Sequence, residues 1–98
     1  MIEVSRIGDG DRLEFDVKVR TSGRENFYRV TIGQAYCEQL THGKHTPEHC
    51  IEADFRFLLD RESMDSILDR FDVSVIPRYY PQFEKELPRY LSQAQFRA

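Results

Sequence analysis

From Leu13 to Arg20 apolar and charged residues alternate without a break: Leu13, Phe15, Val17 and Val19 against Glu14, Asp16, Lys18 and Arg20. A period of two marks a strand with one dry face and one wet face. Turn-forming residues bracket it, Gly8-Asp9-Gly10-Asp11 before and Thr21-Ser22-Gly23-Arg24 after. Folding the chain about Ser22-Gly23 sets Leu13 opposite Ile32, Phe15 opposite Val30 and Val17 opposite Tyr28. On the other face Arg20 meets Glu25 and Asp16 meets Arg29, so the charges complement one another. A slip of one residue would set apolar against polar positions, which favours this register. The same treatment of the first turn sets Val4 against Phe15 and Ile2 against Val17. The pattern therefore predicts an antiparallel meander with strands near 1–7, 12–20 and 25–32. The first of these, Ile2–Ile7, is an edge strand open to pairing. The shared apolar face needs a cover, and only the rest of the chain can supply it.

Beyond residue 32 the apolar spacing lengthens. Gly33 to Leu40 reads as a short helix with Ala35, Tyr36 and Leu40 inward, ended by Gly43 in a left-handed cap. Thr46-Pro47-Glu48 is a helix start: a capping hydroxyl, proline at the first helical position, an acid in the first turn. The stretch Ile51 to Phe71 follows, and it is the most apolar part of the chain. Ile51, Phe55, Leu58 and Leu59 form one helical stripe, while Ala53 and Phe57 point the other way, so this helix needs cover on two sides. Ser63 then caps an expected second helix, with Met64, Ile67, Leu68 and Phe71 on one face. Asp72 or Ser74 caps a short helix near 75–80, with Pro77 in its first turn. Pro81 forces Tyr80 out of helical geometry and opens a longer helix, in which Pro88 is a potential kink. The last few residues are expected to fray. The fold class expected is α+β: a three-stranded antiparallel meander followed by four to five short helices packed on one face. It forms one domain over 1–98, with the meander in 1–32 and the helical part in 33–95.

Composition narrows the function classes. The chain has 98 residues, a net charge of −3, seven Phe and five Tyr, which is a globular composition with bulky core material. Interleaved charges with a small negative balance do not favour nucleic acid or an anionic membrane as partner. Lys18 and Arg20 lie on the polar strand face, but Glu14 and Asp16 share it. The opening run MIEVSRIGDGD has no apolar segment of signal-peptide length, and no stretch reaches the ~20 apolar residues of a membrane span. Two cysteines are too few for a disulfide scaffold, so a reducing, cytoplasmic setting is expected.

One cluster carries chemistry-bearing side chains: Cys37, His42, His45, His49 and Cys50. Thiolates and imidazoles are zinc ligands, and these five are the candidate metal ligands. Against this, no C-x-x-C precedes the histidines, and His45 falls before the helix start, so His45 and His49 do not share a helical face. Cys50, in the first turns of the Thr46-Pro47 helix, is also a candidate nucleophile, with His45 or His42 as base if the loop folds back. Buried small thiols and solvated histidines are the structural alternative. The acids Asp60, Glu62, Asp65 and Asp69 read as charges matched to helix ends rather than as a catalytic pair. Gly8-Asp9-Gly10-Asp11 joins strand to strand and is no phosphate loop.

Three runs carry a resemblance: Phe55-Arg56-Phe57-Leu58-Leu59-Asp60-Arg61-Glu62, Ser66-Ile67-Leu68-Asp69-Arg70-Phe71, and Ile76-Pro77-Arg78-Tyr79-Tyr80-Pro81-Gln82-Phe83-Glu84. Together they resemble a family of short bacterial proteins of unknown function with the pattern F-x-FLL-x-RE, IL-x-x-F and Y-F-P-x-Y/F-E. Tyr80 stands where that pattern has phenylalanine, and the histidine–cysteine cluster lies outside it. The resemblance implies a bacterial cytosolic protein and brings no activity, cofactor or catalytic residue.

The function expected is a non-enzymatic protein-interaction module, whose partner is another protein or a second copy of the chain. Phe57, Tyr79 and Tyr80 are its candidate contact residues, and no cofactor is expected. The alternative is a metal-binding or thiol enzyme built on His42, His45, His49 and Cys50.

Overall fold

A computed structural model describes residues 1–95 of the chain. Its frame is a sheet of strands β1 (Ile2–Asp9), β2 (Arg12–Thr21), β3 (Arg24–Gly33) and β4 (Arg70–Asp72), in the order β1-β2-β3-β4. Helices α1 (Gln34–Thr41), α2 (Pro47–Leu59), α3 (Ile76–Tyr79) and α4 (Phe83–Gln95) complete it. The fraying expected at the chain's end concerns positions outside the described residues. The class is α+β, as the pattern predicts.

The β2–β3 register is the one read from the alternation: Leu13 faces Ile32, Phe15 faces Val30, Val17 faces Tyr28, and Arg20 faces Glu25. Ser22 and Gly23 both take positive φ at the turn, 45° and 82°. Gly23 does so without the Cβ penalty that Ser22 meets. The apolar members of this face are buried, and the opposite face carries ion pairs such as Arg29 with Asp16 and Arg20 with Glu25. The first turn falls one residue later than symmetry predicts. Ile2 faces Val19 and Val4 faces Val17, a displacement of two that leaves both on the apolar side. The register then shifts between Arg6 and Gly8, so Ile7 has no opposite number and is 45% exposed.

Two expectations are corrected. The sheet has a fourth strand, and it is parallel: Arg29 faces Arg70, Val30 faces Phe71 and Thr31 faces Asp72. The helix expected after Ser63 is one 3-10 turn, Met64–Ser66, followed by extended chain from Ile67. The reason is hydrogen bonding at the sheet edge. Extended residues 70–72 pair with β3, whose edge would otherwise stand open, and Arg29 N–H donates to the Asp69 carbonyl at 2.7 Å. Met64 and Ile67 still reach the core, and Phe71 lies 5.9 Å from Phe55, ring to ring. Asp72 closes the segment by accepting from Thr31 Oγ1 at 2.5 Å and from the Ser74 backbone N–H at 3.1 Å.

Helix α2 is the centre of the molecule. Thr46 caps it, its hydroxyl accepting from the His49 N–H at 3.1 Å, with Pro47 at its start and Glu48 in the first turn. One side presses Ile51, Phe55 and Leu58 toward the sheet, where Phe55 meets Tyr28 at 5.2 Å. The other side packs on α4, with Phe57 edge-on to Phe83 (5.1 Å), Tyr80 and Tyr90 (5.7 Å each). Full burial of a side chain of this size is stabilising by roughly 1.5–3 kcal/mol. Tyr80 leaves helical geometry before Pro81, and α4 starts at Phe83 and runs through Pro88.

Candidate functional site

The histidine–cysteine cluster is divided by the fold. His42 is exposed and takes a left-handed conformation (φ 55°) at the end of α1, next to Gly43 (φ 68°). The His45 and His49 rings stack, 4.9 Å apart and nearly parallel. His49 Nε2 bonds the Leu91 carbonyl at 2.8 Å, which ties the start of α2 to α4. Burial and the neighbouring His49 hold the His45 imidazole below its ordinary range. Among the described residues, no three His, Cys, Asp or Glu side chains are arranged to hold a metal ion.

The two cysteines do come together. Cys37 projects from α1 and Cys50 from α2, and their thiols are in side-chain contact. They are not equivalent. Cys50 is fully buried, and its bond to Cys37, burial and nearby Asp54 all push its thiol up. Cys37 is drawn down by the Cys50 bond and by Arg6, against the opposing effect of burial. The first proton therefore leaves Cys37, which lines an open cleft of ≈ 360 Å³ together with Arg6, Gln34, Glu38, Thr41 and His45. Cys50, the nucleophile the sequence points to, lies behind it.

One member of this site is missed by sequence reasoning. Asp54 sits one turn after Cys50 on the same face of α2, is 1% exposed, and neither of its carboxylate oxygens has a hydrogen-bond partner among the described residues. Burial, with the Cys37 charge adding to it, pushes its pKa well above the ordinary 3.8, which favours the protonated carboxyl. A signal existed: Cys50, Asp54 and Phe57 fall at i, i+4 and i+7 along the second buried face of α2.

A second site lies at the far end of α2. Leu58, Ile67, Leu68, Phe71, Ile76 and Tyr80 line an apolar cleft of ≈ 310 Å³. Leu68 is 59% and Tyr79 71% exposed beside it, although both are large and apolar enough to belong in a core. Tyr80 is half-buried, its hydroxyl donating to Glu62 at 2.8 Å and its ring set against Phe57. Phe57, a contact residue on the sequence reading, is fully buried under α4 and touches no surface. Its face of α2 was correctly read as needing cover, but the cover comes from the chain itself.

Comparison with protein-family models finds no match, and comparison with curated proteins and with solved structures finds none either. Among the described residues no helix is long and apolar enough to cross a membrane.

Proposed function

We propose that this protein is a non-enzymatic interaction module that grips a segment of a partner protein in the cleft between α2 and α3. The observation that carries this reading is the exposure of Leu68 and Tyr79 at the mouth of an apolar cleft. Solvent-facing side chains of this kind, grouped at a concavity, are what peptide-binding surfaces use as anchors. The surrounding stretch 60–72 carries Asp60, Glu62, Asp65, Asp69 and Asp72 against Arg61 and Arg70, with Asp65 paired to Arg24 and Asp72 to Arg12. The segment that fits is an aliphatic or aromatic side chain flanked by lysine or arginine.

Panning a random-peptide library against the immobilised protein tests this. Selected peptides should share an apolar anchor with basic neighbours. Leu68→Glu should weaken their binding at least about tenfold, a loss of ~1.4 kcal/mol, without changing the melting curve. Selected peptides whose affinity ignores both Leu68→Glu and Tyr79→Ala would remove the cleft from consideration. Sedimentation equilibrium covers the remaining arrangement: a dimer that Leu68→Glu dissociates makes the partner a second copy of this chain.

A further inference from the structure

The interaction reading leaves the buried thiols and Asp54 without a use. A buried carboxyl group with no partner among the described residues is destabilising, and a leucine or asparagine there would not carry the same ionisation penalty. Its neighbours are two thiols brought into contact from different helices, one of them facing a cleft. Structural cysteines need none of this. A thiol on a residue that lines a cleft while only 5% exposed, a second thiol behind it and an acid nearby are the three parts of a condensation site.

We propose that Cys37 and Cys50 form a peroxide-responsive dithiol, in which Cys37 is oxidised, Cys50 resolves it to a disulfide and Asp54 relays the proton. The ligand is a small hydroperoxide, hydrogen peroxide in the simplest case, which enters the cleft lined by Cys37. The Cys37 thiolate attacks one peroxide oxygen. The O–O bond breaks, an S–O bond forms, and hydroxide leaves and takes up the proton Cys37 has shed, giving water. The sulfur has lost two electrons to the peroxide and is a sulfenic acid. Cys50 Sγ then attacks Cys37 Sγ, the S–O bond breaks and the S–S bond forms. The departing hydroxide takes the proton held by Asp54, and Asp54 takes the proton of the Cys50 thiol. Two thiols and one peroxide become one disulfide and two waters. Asp54 ends as it began, which is why a neutral acid suits the position. Cys50 has no route of its own to water, being fully buried, so its proton needs an internal acceptor.

The experiment treats the reduced full chain with hydrogen peroxide and follows intact mass, with dimedone present to trap sulfenic acid. The native sequence should lose two hydrogens and take little dimedone. Cys50→Ser should accumulate the dimedone adduct on Cys37, and Cys37→Ser should give neither adduct nor disulfide. In Asp54→Asn, sulfenic acid should form at the native rate while disulfide closure slows ~100-fold or more, the scale of a lost proton transfer. Dimedone labelling of Cys50 in Cys37→Ser, or no labelling of Cys37 in folded Cys50→Ser, overturns the assignment of roles. Unchanged closure in Asp54→Asn overturns the relay. If Asp54→Asn fails to fold, Asp54→Glu replaces it, and native closure with the displaced carboxyl counts against the relay.

Discussion

The guanidinium carbon of Arg61 lies 3.8 Å from the centroid of the Phe57 ring. The same side chain donates to the Phe57 carbonyl at 3.0 Å and to the Tyr90 hydroxyl at 3.1 Å, and pairs with Glu86. One arginine thus covers an aromatic face, caps the end of α2 and fastens α4 to it. Arg61→Ala is expected to destabilise the fold by about 1–3 kcal/mol, since a stacked cation and its hydrogen bonds are lost together. Arg61→Lys should recover only a small part, because an ammonium cannot stack and fork at once. Urea unfolding of the three proteins measures both.

Phe57 and Tyr79 make a matched pair of aromatic truncations. Phe57→Ala should remove ~3–5 kcal/mol, a large share of the margin of a domain this size. Tyr79→Ala should stay within about 0.5 kcal/mol, because the ring is 71% exposed. Thermal melts decide it. Equal losses would mean that the second face of α2 is not packed under α4.

Asp54 sets a pH dependence with a defined sign. Its pKa in the folded protein is raised, so the folded state binds the proton more tightly than the unfolded chain does. Stability is therefore greatest below the ordinary aspartate range and falls as pH climbs from there toward the raised value. The slope from this one group approaches ~1.4 kcal/mol per pH unit. Asp54→Asn should remove that slope, so the gap between mutant and native stability widens as pH climbs above the ordinary aspartate range. Denaturant titrations at a series of pH values give the curve, and a gap that does not change with pH contradicts a neutral, unpartnered acid.

Thr46 is expected to behave as a helix cap. Thr46→Ala removes the acceptor for the His49 N–H and should cost ~1 kcal/mol, while Thr46→Ser, which keeps the oxygen, should be close to neutral. Hydrogen exchange at the His49 amide reports the local effect.

What could be read from the sequence follows the range of each physical signal. The β2–β3 register was legible because alternation and the Ser22-Gly23 turn are local and agree. Thr46-Pro47-Glu48 and Tyr80-Pro81 were legible for the same reason. The β1 register was misplaced because the bulge at Ile7 and a turn one residue later leave no trace in the apolar pattern. The parallel strand at Arg70–Asp72 was hidden for a different reason. Met64, Ile67, Leu68 and Phe71 keep helical spacing, yet the hydrogen bonds that decide the matter come from β3, about 40 residues away. At the candidate sites, Tyr79 was named as part of an aromatic patch and is exposed, while Cys37 was named as a metal ligand and instead neighbours Cys50. Phe57 was misassigned because a second apolar face does not say whether its cover is a partner or the chain's own C-terminal helix. Asp54 was overlooked because a charged letter inside an apolar stripe reads as solvent-facing until its neighbours on the wheel are counted.

The short parallel strand has a consequence for how the molecule is assembled. Until Arg70–Asp72 docks, β3 offers a bare row of amides and carbonyls, and Val30 lacks its neighbour Phe71. A chain emerging from its amino end therefore carries this open margin on β3 for as long as its latter third is missing. The clasp that seals this margin is also the segment leading out of the Leu68 cleft, so anything that pulls on that cleft pulls on the seam of the sheet.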